Sequence, residues 1–371
     1  MKIGILSLTS GYNFGGTLQT IALSRVLEKL GHEATVLDYW PSPPLNTPLW
    51  RGWGLQGNNR VGNIGRRLNQ LRHLPGFKKK YDAFKTQELK WSERCLNTES
   101  LRRTVKDFDA VVVGSDQVWN MRYHPDPNYY LAAFDEFRGL RISYAACCGN
   151  PTQECPDWAG EALRGFHHLG VRNPFTADWV SRCAGESASP KVVADPTLLV
   201  DDYPAAELSL PDRYIAVYLI GSDQGADHRN IIHQLRERHG NIPVVCLMPT
   251  GFAIRVRRWY DQILWCLNPY EWVEAIKNAS AVYTDSYHAV LFSMRNRIPF
   301  IATYVEKVRA PRLLDLKVRY ELGASLQKAS SVQIADQEPD WPAVEMHWKN
   351  DRDQSLEFLK SALVRNPTSY P

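Results

Sequence analysis

The chain has 371 residues, 44% hydrophobic and 23% charged, with a formal net charge of +4. That is too long for one ordinary core, so two domains are expected. The mild positive balance suits an anionic small substrate or a membrane surface; without a basic stripe or a nucleic-acid motif it excludes DNA and RNA as partners. In chain order, Lys2 to Leu6 read as an apolar first strand, and the turn SGYNFGG leads into a helix over Thr17 to Leu30. Ala34 to Tyr39 read as the second strand. The turn departs from GxGxxG, which argues against an NAD enzyme. No stretch approaches the roughly 18 apolar residues of a membrane span, and the start MKIGILSLTS lacks the apolar core of a signal peptide. A cytoplasmic protein is expected.

Residues 41–75 break the pattern. Prolines come first, then Trp50, Trp53, Arg60, Arg66, Arg67 and Arg72, with Lys78, Lys79 and Lys80 behind them. One reading is a solvated loop leading into an exposed amphipathic helix. The other is a basic, Trp-bearing flap over 50–80 that touches the inner face of the membrane or a lipid-linked acceptor.

Asp109 to Val113 read as a strand ending in GSDQVWN at 114–120, and Arg141 to Ala146 as another. His167 to Val171 run into Arg172 ahead of a helix from Pro174, and Lys191 to Ala194 end at Asp195-Pro196-Thr197. A polar turn after a buried strand lies at the carboxyl edge of an open α/β sheet, where ligands bind. A second series follows: strand at Tyr214 to Ile220, helix at His228 to His239, strand at Val244 to Met248, helix at Glu271 to Asn278. This predicts two Rossmann-like domains, 1–200 and 201–350. A C-terminal helix in 351–371 has a return to the first domain as one course open to it. The seven cysteines, at 95, 147, 148, 155, 183, 246 and 266, form neither CxxC pairs nor zinc spacings, and all are expected as reduced thiols. No metal and no cofactor are expected.

Ala281 to Tyr283 read as a strand, and Thr284-Asp285-Ser286 offer N-cap side chains to a helix over Ala289 to Met294. Ser286 and His288 therefore fall at a helix N-terminus, whose unpaired N–H groups favour anions. The bland reading is that Ser286 only caps the helix and His288 only packs against it.

Taken together, NFGGTLQTIAL at 13–23, GSDQVWN, GVRN at 170–173, DPTLL at 195–199 and TDSYHA at 284–289 resemble the polysaccharide pyruvyl transferase family over nearly the whole chain. The resemblance implies an α/β fold of two Rossmann-like domains in a glycosyltransferase-B (GT-B) type arrangement with an interdomain active-site cleft. It also implies transfer of a pyruvyl group from phosphoenolpyruvate to two hydroxyls of a glycan or lipid-linked sugar, forming a cyclic ketal. Two positions depart from the family: Ala289 stands where glycine is usual, and Cys147 where a small polar residue is usual. The extra Cβ of Ala289 would tighten the donor pocket.

His288 is the candidate for protonating the enol carbon, with a phosphate-ligand role open beside it. Asp116 is the candidate acceptor of the sugar hydroxyl proton, with a strand-end cap as its other reading. Arg172 matches the family's arginine after the inner strand. With Ser115, Ser286 and either Lys307 or Arg309 it is assigned to the anionic donor, and Asn13, Gln19 and Gln117 to the sugar. Two alternatives stand beside this reading: a GT-B glycosyltransferase using a nucleotide sugar, and a catalytically silent glycan-binding protein.

Overall fold

The computed structural model describes residues 1–40, 60–122, 126–131, 134, 136–220, 225–247, 259–305, 310–334 and 338–364, with backbone alone for 60–71 and 186. The chain divides into two units. One comprises Met1–Leu45, Thr86–Asp201 and Trp348–Pro371, the other Asn46–Lys85 and Asp202–His347.

In the first unit, β1 (Lys2–Leu6) runs through α1 (Phe14–Lys29) to β2 (Glu33–Val36). The chain continues through α2 (Arg60–Glu88), which enters this unit only at its end, and α3 (Thr98–Val105) to β3 (Ala110–Val113) and β4 (Leu140–Ala146). Then come α4 (Asp157–Arg164), β5 (His168–Val171), α5 (Pro174–Ala184) and β6 (Lys191–Val192). The strands form one sheet in the order β2-β1-β3-β4-β5-β6, parallel at every pairing. Parallel strands covered on both faces read as unbroken apolar runs, which explains AVVV in β3. Each such valine contributes about 1.5–3 kcal/mol of burial. Below the sheet, Trp119, Tyr130 and Trp179 pack in one core cluster, with the Trp119 and Tyr130 rings stacked at 5.8 Å.

The second unit repeats the plan with β7 (Ile215–Tyr218), α6 (His228–Arg238), β8 (Val244–Leu247), β9 (Gln262–Leu264) and α7 (Pro269–Lys277). After these come β10 (Ala281–Thr284), α8 (Tyr287–Arg295), β11 (Phe300–Tyr304), α9 (Ala310–Arg319) and β12 (Leu326–Lys328). Its parallel sheet has the order β12-β11-β10-β7-β8-β9. Most of α2 belongs to this unit and docks through Phe84 against Tyr270, with ring centroids 4.8 Å apart, and through Lys80, which pairs with Glu271 at 2.6 Å. The basic segment is therefore helical over 60–80. Trp50, Trp53 and the side chains of Arg60, Arg66 and Arg67 lie outside the described residues. The final helix, α10 (Trp341–Ala362), belongs to the first unit from Trp348 onward. There Ser355 Oγ accepts from Ala194 N–H at 2.7 Å.

One expectation is overturned. Cys155 and Cys183 form a disulfide, so not every thiol is free. Packing of α4 on α5 closes a sequence separation of 28 to a Cα separation of 5.5 Å, a proximity invisible in linear spacing. Among the described residues no helix is long and apolar enough to cross a membrane.

Candidate active site

In each sheet the strand order reverses once: between β1 and β3 in the first and between β7 and β10 in the second. At such a switch point the loops leaving the carboxyl ends of the two strands diverge and leave a crevice, where α/β sheets bind ligands. Most of the described candidates lie on loops and helix starts that follow the strands of these two sheets.

In the first unit Ser7, after β1, donates its Oγ–H to the carbonyl of Ser115, after β3, at 3.3 Å. Gly114 holds φ +125°, and a Cβ there would collide with the Tyr144 carbonyl oxygen, so only glycine fits. The Gly114–Ser115 peptide is cis, and Asp116 holds φ +70°. Its carbonyl accepts from Cys147 N–H at 2.9 Å, seating the turn on the end of β4. The Asp116 side chain is 11% exposed, and its Oδ1 lies 3.2 Å from Nη1 of Arg172, whose side chain is fully buried.

Behind Arg172 is a second carboxylate, Asp195, after β6. Its Oδ2 is 3.6 Å from the same Nη1 and accepts from Gln19 Nε2. Its Oδ1 accepts from Thr197 N–H at 3.0 Å and from Thr197 Oγ–H at 2.7 Å. The structure thus links Gln19 to Arg172 through Asp195, a residue the sequence reading did not place in the site, and Arg172 in turn to Asp116. The signal was present: DPT follows a short strand just as SDQ follows β3.

The other first-unit candidates hold local structure. Asn13 is exposed and caps α1, its Oδ1 accepting from Gly16 N–H at 3.2 Å. Gln117 Oε1 accepts from Asn120 Nδ2 at 2.8 Å. Ser115 is buried, and its Oγ has no hydrogen-bond partner among the described residues. Cys147 acts as the small polar group expected at its position: its Sγ accepts from Gly149 N–H and Asn173 Nδ2, each at 3.3 Å. The thiol of Cys148 is pushed up to about 12, first by burial and then by Cys147.

In the second unit Thr284 donates its Oγ–H to the Tyr218 carbonyl at 2.6 Å, and Asp285 Oδ1 accepts from Ile220 N–H at 2.6 Å. Those two bonds tie β10 to β7 across the switch point. Ser286 is the N-cap of α8, its Oγ accepting from Ala289 N–H at 3.4 Å. His288 stands in the first turn, 6% exposed, its ring edge-on to Tyr287 at 5.2 Å. Ala289 is fully buried in the same turn. Lys307 and Arg309 lie outside the described residues. Among the described residues no group of three His, Cys, Asp or Glu side chains could hold a metal ion.

Two Rossmann-like units of this kind define the GT-B class of fold, and solved structures agree. Arabidopsis thaliana UGT89C1 complexed with UDP-L-rhamnose is similar at a TM-score of 0.53 and 11% identity, over 98% of this chain and 99% of that one. The UDP-GlcNAc 2-epimerase of Methanocaldococcus jannaschii is similar at 0.50 and 12%, over 95% and 93%. At such identities the likeness shows the fold alone. No curated protein matches the sequence. Residues 13–306 match the model of the polysaccharide pyruvyl transferase family, and the chain belongs to that family.

Proposed function

We propose that the protein transfers a pyruvyl group from phosphoenolpyruvate to two hydroxyls of a sugar in a polysaccharide precursor or lipid-linked glycan, forming a cyclic ketal and releasing phosphate. The observation that carries this reading, within a family defined by pyruvyl transfer, is the first turn of α8. There a buried imidazole, His288, sits beside a capped helix N-terminus after β10. A helix N-terminus suits the carboxylate or phosphate of the donor, and an imidazole suits proton delivery near neutral pH.

The chemistry balances without electron transfer. His288 gives a proton to the methylene carbon, which becomes the methyl group, while a sugar hydroxyl oxygen bonds to the neighbouring carbon. Asp116 takes that hydroxyl's proton. The second hydroxyl oxygen then displaces phosphate from the same carbon, and its proton leaves with the phosphate as hydrogen phosphate. In this reading no resident cofactor takes part. Arg172 was expected from the resemblance to bind the donor, but its fully buried side chain faces two carboxylates. We therefore assign it to holding Asp116. Donor binding goes to Ser286, Ser115 and the α8 N-terminus, and sugar contacts to Asn13 and Gln117.

The test is incubation with phosphoenolpyruvate and a panel of galactosyl and mannosyl acceptors, following phosphate and product mass. Phosphate release that requires an acceptor, with one pyruvyl added per product, is expected. Absence of acceptor-dependent release across a broad panel would overturn the reading.

A further inference from the structure

We propose that Asp195 is a positioning residue: by sharing Arg172 with Asp116, it limits how strongly that guanidinium stabilises the Asp116 carboxylate. The inference rests on Asp116 as the proton acceptor of the proposed reaction. From the surface inward the order is Asp116, Arg172, Asp195, with side chains 11%, 0% and 0% exposed. A single nitrogen, Nη1, faces both carboxylates, at 3.2 and 3.6 Å.

Asp195 has no freedom to let go. Both of its oxygens are engaged, one by the Thr197 N–H and hydroxyl and the other by the Gln19 amide. Hydrogen bonds to a carboxylate favour its charged form, so Asp195 draws on Arg172 continuously. Two acids draw on one guanidinium, and the outer acid receives less of its field than it would alone. A proton acceptor needs that compromise: a carboxylate held too firmly in its charged form is a poor base.

Charged and titratable groups beside Asp116 come from the ends of three strands. Arg172, which follows β5, touches it directly; Asp195, which follows β6, acts on it through Arg172; and Cys147, which follows β4, meets its carbonyl through a backbone N–H.

The test follows the carboxyl carbon of Asp116 by NMR in the full-length protein labelled with 13C-aspartate, its signal assigned by its loss in Asp116→Asn. Asp195→Asn removes the competing charge with little change of shape. Gln19 Oε1 makes no hydrogen bond among the described residues, so that amide can turn to receive the new N–H. The Asp116 midpoint should move down by about one pH unit, a tenfold change in its protonation equilibrium. Arg172→Lys keeps the buried positive charge on a compact ammonium that lacks the fork, and the midpoint should move up.

In steady-state turnover the acid limb of kcat/KM should move in the same direction as the midpoint in each variant. A merely structural role would lower kcat without moving that limb. An unchanged or raised midpoint in Asp195→Asn overturns the proposal; should that variant fail to fold, an unchanged midpoint in Arg172→Lys does so. The titration needs no substrate, so a shifted midpoint without acceptor-dependent turnover would count against the function and leave this inference standing.

Discussion

The switch points of the two sheets solve one folding problem with different materials. Each must carry the chain off the end of a central strand and hold the diverging loops at a fixed separation. The first unit does it with the Ser7 hydroxyl on the Ser115 carbonyl and adds buried charge beside that bond: Asp116, Arg172 and Asp195 arrive from three strand ends and meet at one guanidinium. The second does it with neutral hydroxyls and a single carboxylate spent on backbone groups, in Thr284 to Tyr218 and Asp285 to Ile220. A charge network can poise an acid but cannot lose a member cheaply. A switch point built from caps leaves the first N–H groups of a helix to face an anion and tolerates single losses. The division of labour proposed here, base on one unit and donor binding with the acid on the other, follows from those materials.

The largest effect should come from the chemistry itself. His288→Ala is expected to lower kcat by about 100- to 10,000-fold while leaving KM for phosphoenolpyruvate within a few-fold, because a proton given only in the transition state shows in the rate constant. Initial rates of phosphate release decide it. Loss of affinity with an intact rate would make His288 a phosphate ligand and move the acid elsewhere.

Next in size is Arg172→Met. Removing that guanidinium takes the shared cation from two buried carboxylates, and breaking a buried pair this way costs about 3–5 kcal/mol. Urea unfolding of the whole chain, followed by far-UV dichroism, should show the first unit losing structure at lower denaturant. A cost under about 1 kcal/mol would mean that the charges there are solvated and that the contrast between the two switch points fails.

Much of this was legible beforehand, for identifiable reasons. Buried parallel strands show as unbroken apolar runs, so β1, β3 and β4 stand out, and the cap at Ser286 announces α8 within a residue or two. The start of α1 is less plain: Gly15 and Gly16 read as turn, yet Asn13 caps a helix that begins at Phe14. Pro75 hid the length of α2, whose helix runs on through it. The three-residue strands β9 and β12 are too short to show a period. The chemistry was legible by type but not by partner. Arg172 reads as a residue aimed at a ligand, and its nearness to Asp195, 23 positions away in sequence, shows only in the fold. The Cys155–Cys183 bond was hidden in the same way. Charge pairing across a sheet edge is a tertiary fact with no local pattern.

A smaller effect tests the neutral side of the comparison. Ser286→Ala removes a single side-chain cap, and its 3.4 Å bond to Ala289 N–H is long for such a contact. The loss should be about 0.5–1 kcal/mol, several times less than for Arg172→Met, read from the same unfolding curves. If the hydroxyl also touches the donor, KM for phosphoenolpyruvate rises several-fold while kcat holds. A stability loss as large as that of Arg172→Met would erase the distinction between a capped switch point and a charged one.

The smallest effect concerns the opposite edge of the first sheet. His167 and His168 stand at the amino end of the strand that carries Arg172 at its carboxyl end. Both titrate below the ordinary histidine range, chiefly through burial. The Arg141 charge adds to the shift for His167, and His167 adds to it for His168. His167 Nδ1 also accepts from Arg141 N–H at 3.1 Å, so a proton there would displace a backbone bond. With the folded midpoint depressed, the unfolded chain binds more protons, and stability rises with pH. The penalty is absent above about pH 6.5, the unfolded histidine value, and grows as pH falls toward the folded midpoints. Replacing both residues with Asn should reduce the fall in Tm between pH 7.5 and 5.5 by about a degree or two. Part of the fall should remain, because His32 and His239 are shifted the same way. The pH profile of turnover should not move, since the charges that poise Asp116 sit at the other end of the sheet. A profile that followed the histidines would make the two edges one electrostatic system and remove the isolation on which a tuned Asp116 depends.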